Sequence, residues 1–254
     1  NLSDYDFETE ALTGNMPDGS NLLITVSPES GINGTNIINN GVCEKLLLTD
    51  GADFSAAGDF TATQVSFTTN VNTIKTLVLP FEADVPDGFK ASGATSVTGN
   101  LVNLEETQTI KAGQPVLIQG TGELELTATN AAIAATDNSE PAYGILSGTY
   151  KGIPAPIGSY VLQNQEGVTG FYLVEDVQPT VGAFRAYLNV PASGVKAFFF
   201  GEDVTGIENP SSQPSLKWEG AYDLSGRRLD SKSIIHNSKL PKGIYIWNGN
   251  KIVK

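Results

Sequence analysis

The chain alternates apolar and polar residues over short runs, and each run ends at a turn signal. In "GELELTAT", residues 122–129, Leu124 and Leu126 alternate with Glu123 and Glu125. That period of two puts the leucines on a buried face and the carboxylates in water. "GAFRAYLNVP", residues 182–191, repeats the pattern: Phe184, Ala186, Leu188 and Val190 are expected inward, and Arg185, Tyr187 and Asn189 outward, until Pro191 ends the ladder. Between these runs, "GSYVLQNQEGVTGFYLVED" predicts a hairpin of strands 160–162 and 170–174 that reverses around Glu166 and Gly167. Further strands are predicted over 22–26, 44–48, 63–68, 73–79, 115–119 and 195–200. The last ends in three consecutive Phe, which demands cover on both faces. Helical periodicity is scarce in a chain with 27 Gly and 13 Pro. The expected fold is all-β and sandwich-like.

The alternation fails over "GEDVTGIENPSSQPS", residues 201–215, where Pro210 and Pro214 fall in a polar run. This break predicts a body over 1–206, a linker over 207–214 and a C-terminal β module over 215–254. The body is expected as one or two sandwich-like units, with a soft joint near 50–70 that starts at "DGADFSAAGD". In the module, "GIYIWNGNKIVK" predicts a two-residue type I′ hairpin at Asn248-Gly249, because both turn positions need positive φ. "GAYDLSGRRL" predicts a second reversal at Ser225-Gly226.

Charge sharpens this division. From Ser215 onward eight basic residues face three acidic ones, whereas the preceding 214 residues hold seven against 25. The whole chain carries −13, so its surface repels phosphate backbones and nucleic acid is excluded as a partner. No run approaches the 18 or so apolar residues of a membrane span, and "NLSDYDFETE" has neither a basic nor an apolar leader region. The single cysteine, Cys43, admits no internal disulfide and, set before an apolar run, predicts a small buried side chain.

Candidate chemistry is sparse. His236 is the only histidine and lies in the polar "SIIHNSK", so a solvated position is expected rather than a catalytic triad. The carboxylate pairs Glu105 with Glu106, Glu123 with Glu125, and Glu202 with Asp203 are adjacent or on one solvent face, unlike the distant pair of a glycosidase. Asp50, Asp53 and Asp59 supply oxygens suited to Ca²⁺, the one cofactor candidate, although turn chemistry explains them too. Exposed aromatics mark glycan sites, and Tyr143, Tyr150, Trp218 and Trp247 are the candidate platform. Asn33 opens an "NGT" glycosylation pattern. No phosphate loop, CxxC pair or HExxH helix is present.

Tyr222, Asp223, Leu224, Gly226 and Arg227, then Gly243 and Tyr245, and finally Lys251 to Lys254 follow one another in a pattern. They resemble the C-terminal sorting domain of the type IX secretion system of Bacteroidota, in its shorter, Bacteroides-type form. The resemblance spans residues 207–254, with "GIENPSSQPSLKWEG" where longer members carry a P-N-P strand. The body stretches "TLVLPFEADVPDG" and "IKAGQPVLIQG" are similar to those that precede such tails in surface proteins of this group. The resemblance implies export, a leader removed from the mature chain, an extracellular or outer-membrane location, and secretion machinery as a partner of the tail. It supplies no catalytic residues. The expected function is therefore a non-catalytic surface module for adhesion, glycan contact or scaffolding, with a surface glycan or protein as partner. The alternatives are a glycan-active enzyme or accessory carbohydrate-binding domain, and the C-terminal end of a longer protein whose function lies upstream.

Overall fold

Short alternating runs become strands: every described element longer than three residues is one. In the computed structural model, residues 20–136, 141–191 and 194–201 are described, together with the backbone of the strands at 5–6, 11–12, 221–223, 244–247 and 250–253. In chain order the strands begin with β1 (Tyr5–Asp6), β2 (Ala11–Leu12), β3 (Ile24–Val26), β4 (Ile37–Asn39), β5 (Val42–Thr49), β6 (Phe60–Val71), β7 (Ile74–Leu77) and β8 (Ala83–Asp84). They continue with β9 (Lys90–Thr98), β10 (Leu101–Thr107), β11 (Thr109–Ile110), β12 (Val116–Gln119), β13 (Gly122–Ile133), β14 (Ala142–Tyr143), β15 (Leu146–Thr149) and β16 (Ile153–Pro154). The last are β17 (Tyr160–Gln165), β18 (Val168–Leu173), β19 (Thr180–Val181), β20 (Arg185–Leu188), β21 (Ala197–Phe198), β22 (Ala221–Asp223), β23 (Ile244–Trp247) and β24 (Asn250–Val253). The fold is all-β, as the patterning predicts, and two compact units divide the chain into Asn1–Ile207 and Glu208–Lys254.

The three larger sheets of the first unit pack in layers. One runs β13, β6, β5, β4, β3; the middle one runs β10, β9, β12, β7; the third runs β14, β15, β20, β17, β18, β21. The first core joins Leu46, Phe67, Leu124 and Leu126 of the first sheet to Ala91, Val116 and Ile118 of the middle one. The second core joins Val102 and Leu117, from the middle sheet's opposite face, to Leu146, Tyr160, Phe171 and Leu188. Alternate residues of β12 thus enter opposite cores and all of Val116, Leu117 and Ile118 are buried. A sheet covered on both faces needs such an uninterrupted apolar run. Each fully buried Phe or Leu contributes about 1.5–3 kcal/mol relative to an exposed one.

The predicted hairpin over 160–174 forms as β17 and β18, and Glu166 and Gly167 take φ of 53° and 86°. Both values are positive, the requirement of a two-residue primed turn. Residues 50–59 cross from β5 to its parallel neighbour β6 within one sheet and bury Phe54 completely.

Tyr187 corrects an expectation. It is buried, at 4% exposure, because the third sheet is also covered on its far face, where Ala155, Val174 and Val181 pack on it. Phe184 departs from the pattern differently: with φ of 60° it turns the chain ahead of β20, so its ring enters the first core while Ala186 and Leu188 enter the second. The hairpin of β9 and β10 is absent from the predicted strands, since "KASGATSVT" has little alternation. Small residues serve closeness there. A Cβ on Gly144, at φ 60°, would stand 2.1 Å from the Ala94 carbonyl oxygen, and Ile145 N–H donates to that same oxygen at 3.0 Å. The middle and third sheets thereby touch backbone to backbone.

In the second unit β22, β23 and β24 form an antiparallel sheet, with Trp247 opposite Asn250 and two residues between them. The partner of β22 is β23, in the register Tyr222↔Ile246. The reversal expected at Ser225-Gly226 lies outside the described residues.

Candidate functional site

The third sheet opens between two of its own strands. β17 and β20 share a single register pair, Tyr160↔Leu188, and then diverge. The edge of β7 enters the fork: Thr76 Oγ1 accepts Ala186 N–H at 3.0 Å, and Val78 N–H donates to the Phe184 carbonyl at 3.1 Å. The remaining space is a cleft of about 520 Å³, lined by 72–76, 161–164, Thr169, 180–182, Arg185 and Ala186. Its size falls in the range of small-ligand pockets.

One wall carries a charged cluster built from four strand ends. β5 stops at Thr49, whose N–H donates to the Oδ1 of buried Asn21 at 2.6 Å, and the next residue is Asp50. Pairing of Thr49 with Thr68 brings Thr69 beside Asp50. Thr69 donates its hydroxyl to Asp50 and accepts from Lys75 Nζ at 2.7 Å. Lys75 Nζ also lies 3.3 Å from Asp50 Oδ2. Arg185 Nη2 reaches both carboxylate oxygens, at 2.5 and 2.6 Å, and its Nη1 donates to the Phe184 carbonyl at 3.2 Å. All three charged side chains are about one-fifth exposed.

These contacts fix the charge states. Burial opposes ionisation of Asp50, but Arg185, Thr69 and Lys75 together outweigh it and hold the carboxyl below its ordinary value. Burial, with the Arg185 charge added to it, pulls Lys75 below its own ordinary value. A carboxyl held below its ordinary value is unsuited to proton donation near neutral pH, which requires a raised carboxyl pKa.

The residues singled out from the sequence lie elsewhere. Tyr150 packs its ring against Phe54 and Phe184 and donates its hydroxyl to the Leu79 carbonyl at 3.0 Å. Burial raises its pKa strongly, and it packs against the first core as a partly buried residue. The Tyr143 ring covers Gly93, where an added Cβ would meet it at 2.4 Å. Trp247 is in β23, whereas Trp218 lies outside the described residues. Tyr222, Asp223, Tyr245 and Lys251 are in the three-stranded sheet of the second unit; Leu224, Gly226, Arg227, Gly243 and Lys254 lie outside the described residues, as does His236.

The three aspartates do not converge. Asp50 faces Arg185 and Lys75, Asp53 Oδ1 accepts Gly152 N–H at 2.7 Å, and Asp59 Oδ1 accepts Ala135 N–H at 2.8 Å. Glu105, Glu106, Glu123 and Glu125 are exposed on strand faces away from the cleft lining, while Glu202 and Asp203 lie outside the described residues. Cys43 is fully buried, and burial raises its thiol pKa. No helix among the described residues is long and apolar enough to cross a membrane.

Sequence reasoning missed Lys75 and singled out Arg185 only as an outward residue. A cue existed: the first 214 residues hold only seven basic side chains. The fold brings two of them together on one carboxylate. No protein-family model, curated protein or solved structure matches the chain.

Proposed function

We propose that this chain is a non-catalytic, secreted or surface-displayed β protein whose body contacts a glycan in the cleft between β7, β17 and β20. Its C-terminal unit acts as an export and sorting module. The observation that supports the binding role is the fork itself, where two strands of one sheet part and leave a cleft lined by apolar side chains, amides and two cations instead of continuing their ladder. The non-catalytic reading draws on Asp50: it is the carboxylate bound to the lining residues Lys75 and Arg185, and these two cations and a hydroxyl hold it ionised. A two-carboxylate hydrolysis needs a second acid, raised in pKa, at about 5–9.5 Å. The sorting role draws on the sequence pattern from Tyr222 to Lys254.

A glycan array read with the intact chain tests the binding role. The expected result is a saccharide class that binds the wild type and is lost when Leu162→Trp fills the cleft. Absence of binding to every saccharide, or binding unaffected by that substitution, would overturn it.

A further inference from the structure

We infer that the cleft recognises the carboxylate of a single acidic sugar in a short saccharide, with Lys75 and Arg185 as the groups that read it. The inference rests on the glycan-contact reading above and names its ligand class.

Donors and acceptors at the cluster do not balance. Asp50 offers two oxygens, and these accept from Arg185 Nη2, from Thr69 and from Lys75. Arg185 has five N–H donors and Lys75 three. The contacts to Asp50, Thr69 and the Phe184 carbonyl leave Arg185 Nε, one Nη1 proton and one Lys75 proton without a protein acceptor among the described residues. Two cations against one carboxylate also leave a surplus positive charge on a wall whose side chains are about four-fifths shielded from water. An incoming carboxylate supplies what this wall lacks, a negative charge with acceptor oxygens, and charge-assisted contacts of this kind are the stronger hydrogen bonds.

The placement of Arg185 is itself built. The preceding Phe184 holds φ at 60°, which costs a bulky side chain energy, and its ring is locked against Phe54, Phe67 and Tyr150. That turn aims residue 185 at the fork while its neighbour fills the core. Around the cations, the amide of Gln163 lines the cleft beside Ile74 and Val161, a mixture of amide donor and apolar surface suited to a sugar ring. The length of the ligand follows from the rest of the chain. A body with 24 acidic residues against seven basic ones repels a polyanion but not a saccharide with one carboxylate.

Calorimetry on the full chain tests this with matched pairs, each a saccharide with one carboxylate and its neutral counterpart: galacturonate with galactose, and sialyllactose with lactose. The expected result is binding of an acidic member, roughly tenfold or more tighter than its neutral partner. Lys75→Met weakens it by a similar factor, and so does Lys75→Gln, with unfolding curves showing that both variants fold. Added salt weakens it too. Polygalacturonate binds no more tightly per site than galacturonate. Equal affinity for both members of a pair, or acidic binding untouched in both Lys75 variants, would overturn the inference while glycan contact stands. Failure of every saccharide would remove both.

Discussion

One face of the middle sheet and its β7 edge are closed in opposite ways. On one face, the rings of Phe54, Phe67, Phe184 and Tyr150 interlock with centroids 5.1–6.2 Å apart, and the single polar handle, the Tyr150 hydroxyl, is satisfied by a backbone carbonyl. At the sheet's β7 edge, the neighbouring sheet forks and the gap is rimmed by Lys75, Arg185 and amide side chains. Residues 184 and 185 are adjacent in the chain and belong one to each region. A sealed core thus lies directly behind the open fork and fixes the position of the arginine that rims it. The difference separates substitutions that should unfold the unit from those that should only change what it holds.

The largest effect is expected in the ring cluster. Phe67 is fully buried in β6 and its centroid lies 5.1 Å from that of Phe184. Phe67→Ala should cost about 3–5 kcal/mol, the lost transfer energy plus the cavity left behind, measured by denaturant unfolding of the full chain. A loss below about 1 kcal/mol would mean that the cluster collapses around the void and does not anchor Phe184 rigidly.

Asp50→Ala should have an intermediate effect. It leaves Lys75 and Arg185 facing each other without a counter-ion, and breaking a buried pair on one side costs about 3–5 kcal/mol. The exposure of about one-fifth lowers the expectation to about 2–3 kcal/mol. The wild type should show the same dependence in acid. Asp50 has a folded pKa depressed below its ordinary 3.8. Its contribution is therefore fully present above that ordinary value and is lost as pH falls through the lower, folded one. Melting temperatures measured from neutral pH downward should show a loss below about pH 4 that is missing from Asp50→Ala. Parallel curves for the two proteins would show that the cluster does not stabilise the fold.

The same contrast explains what could be read from the sequence. Alternation exposed Leu124 and Leu126, Ala186 and Leu188, because one buried face per strand leaves a period of two. It misplaced Tyr187, because cover on the far face of a sheet comes from distant residues such as Ala155 and Val181. It passed over β9, because closeness of sheets selects small residues such as Gly93 and Ala94, which carry no hydrophobic signal. The cluster was hidden for another reason. Asp50 and Arg185 are 135 positions apart, and nothing local in "LTDGA" or "GAFRAY" marks either as the partner of the other. The aromatic signal misled in the opposite sense: Tyr150 looked available for a glycan because its polar tip is visible in sequence, whereas its acceptor, the Leu79 carbonyl, is not.

The smallest effect on stability should come from the lip of the fork, and this prediction separates the two regions most sharply. Gln163 is half-buried in β17 opposite Gly170 and lines the cleft. Its amide accepts from Gln165 across the strand face, an exposed contact between two flexible side chains. Gln163→Ala removes that contact and no buried apolar surface, so unfolding should shift by no more than about 0.5 kcal/mol. Ligand affinity should still fall, because an amide at a cleft wall contributes through the hydrogen bond it makes to the occupant. If the substitution destabilises the unit as Asp50→Ala does, the fork is part of the structural core and its openness is incidental. If stability holds and affinity falls, strength resides behind Phe184 and recognition in front of it, with the backbone turn at that one residue as the boundary.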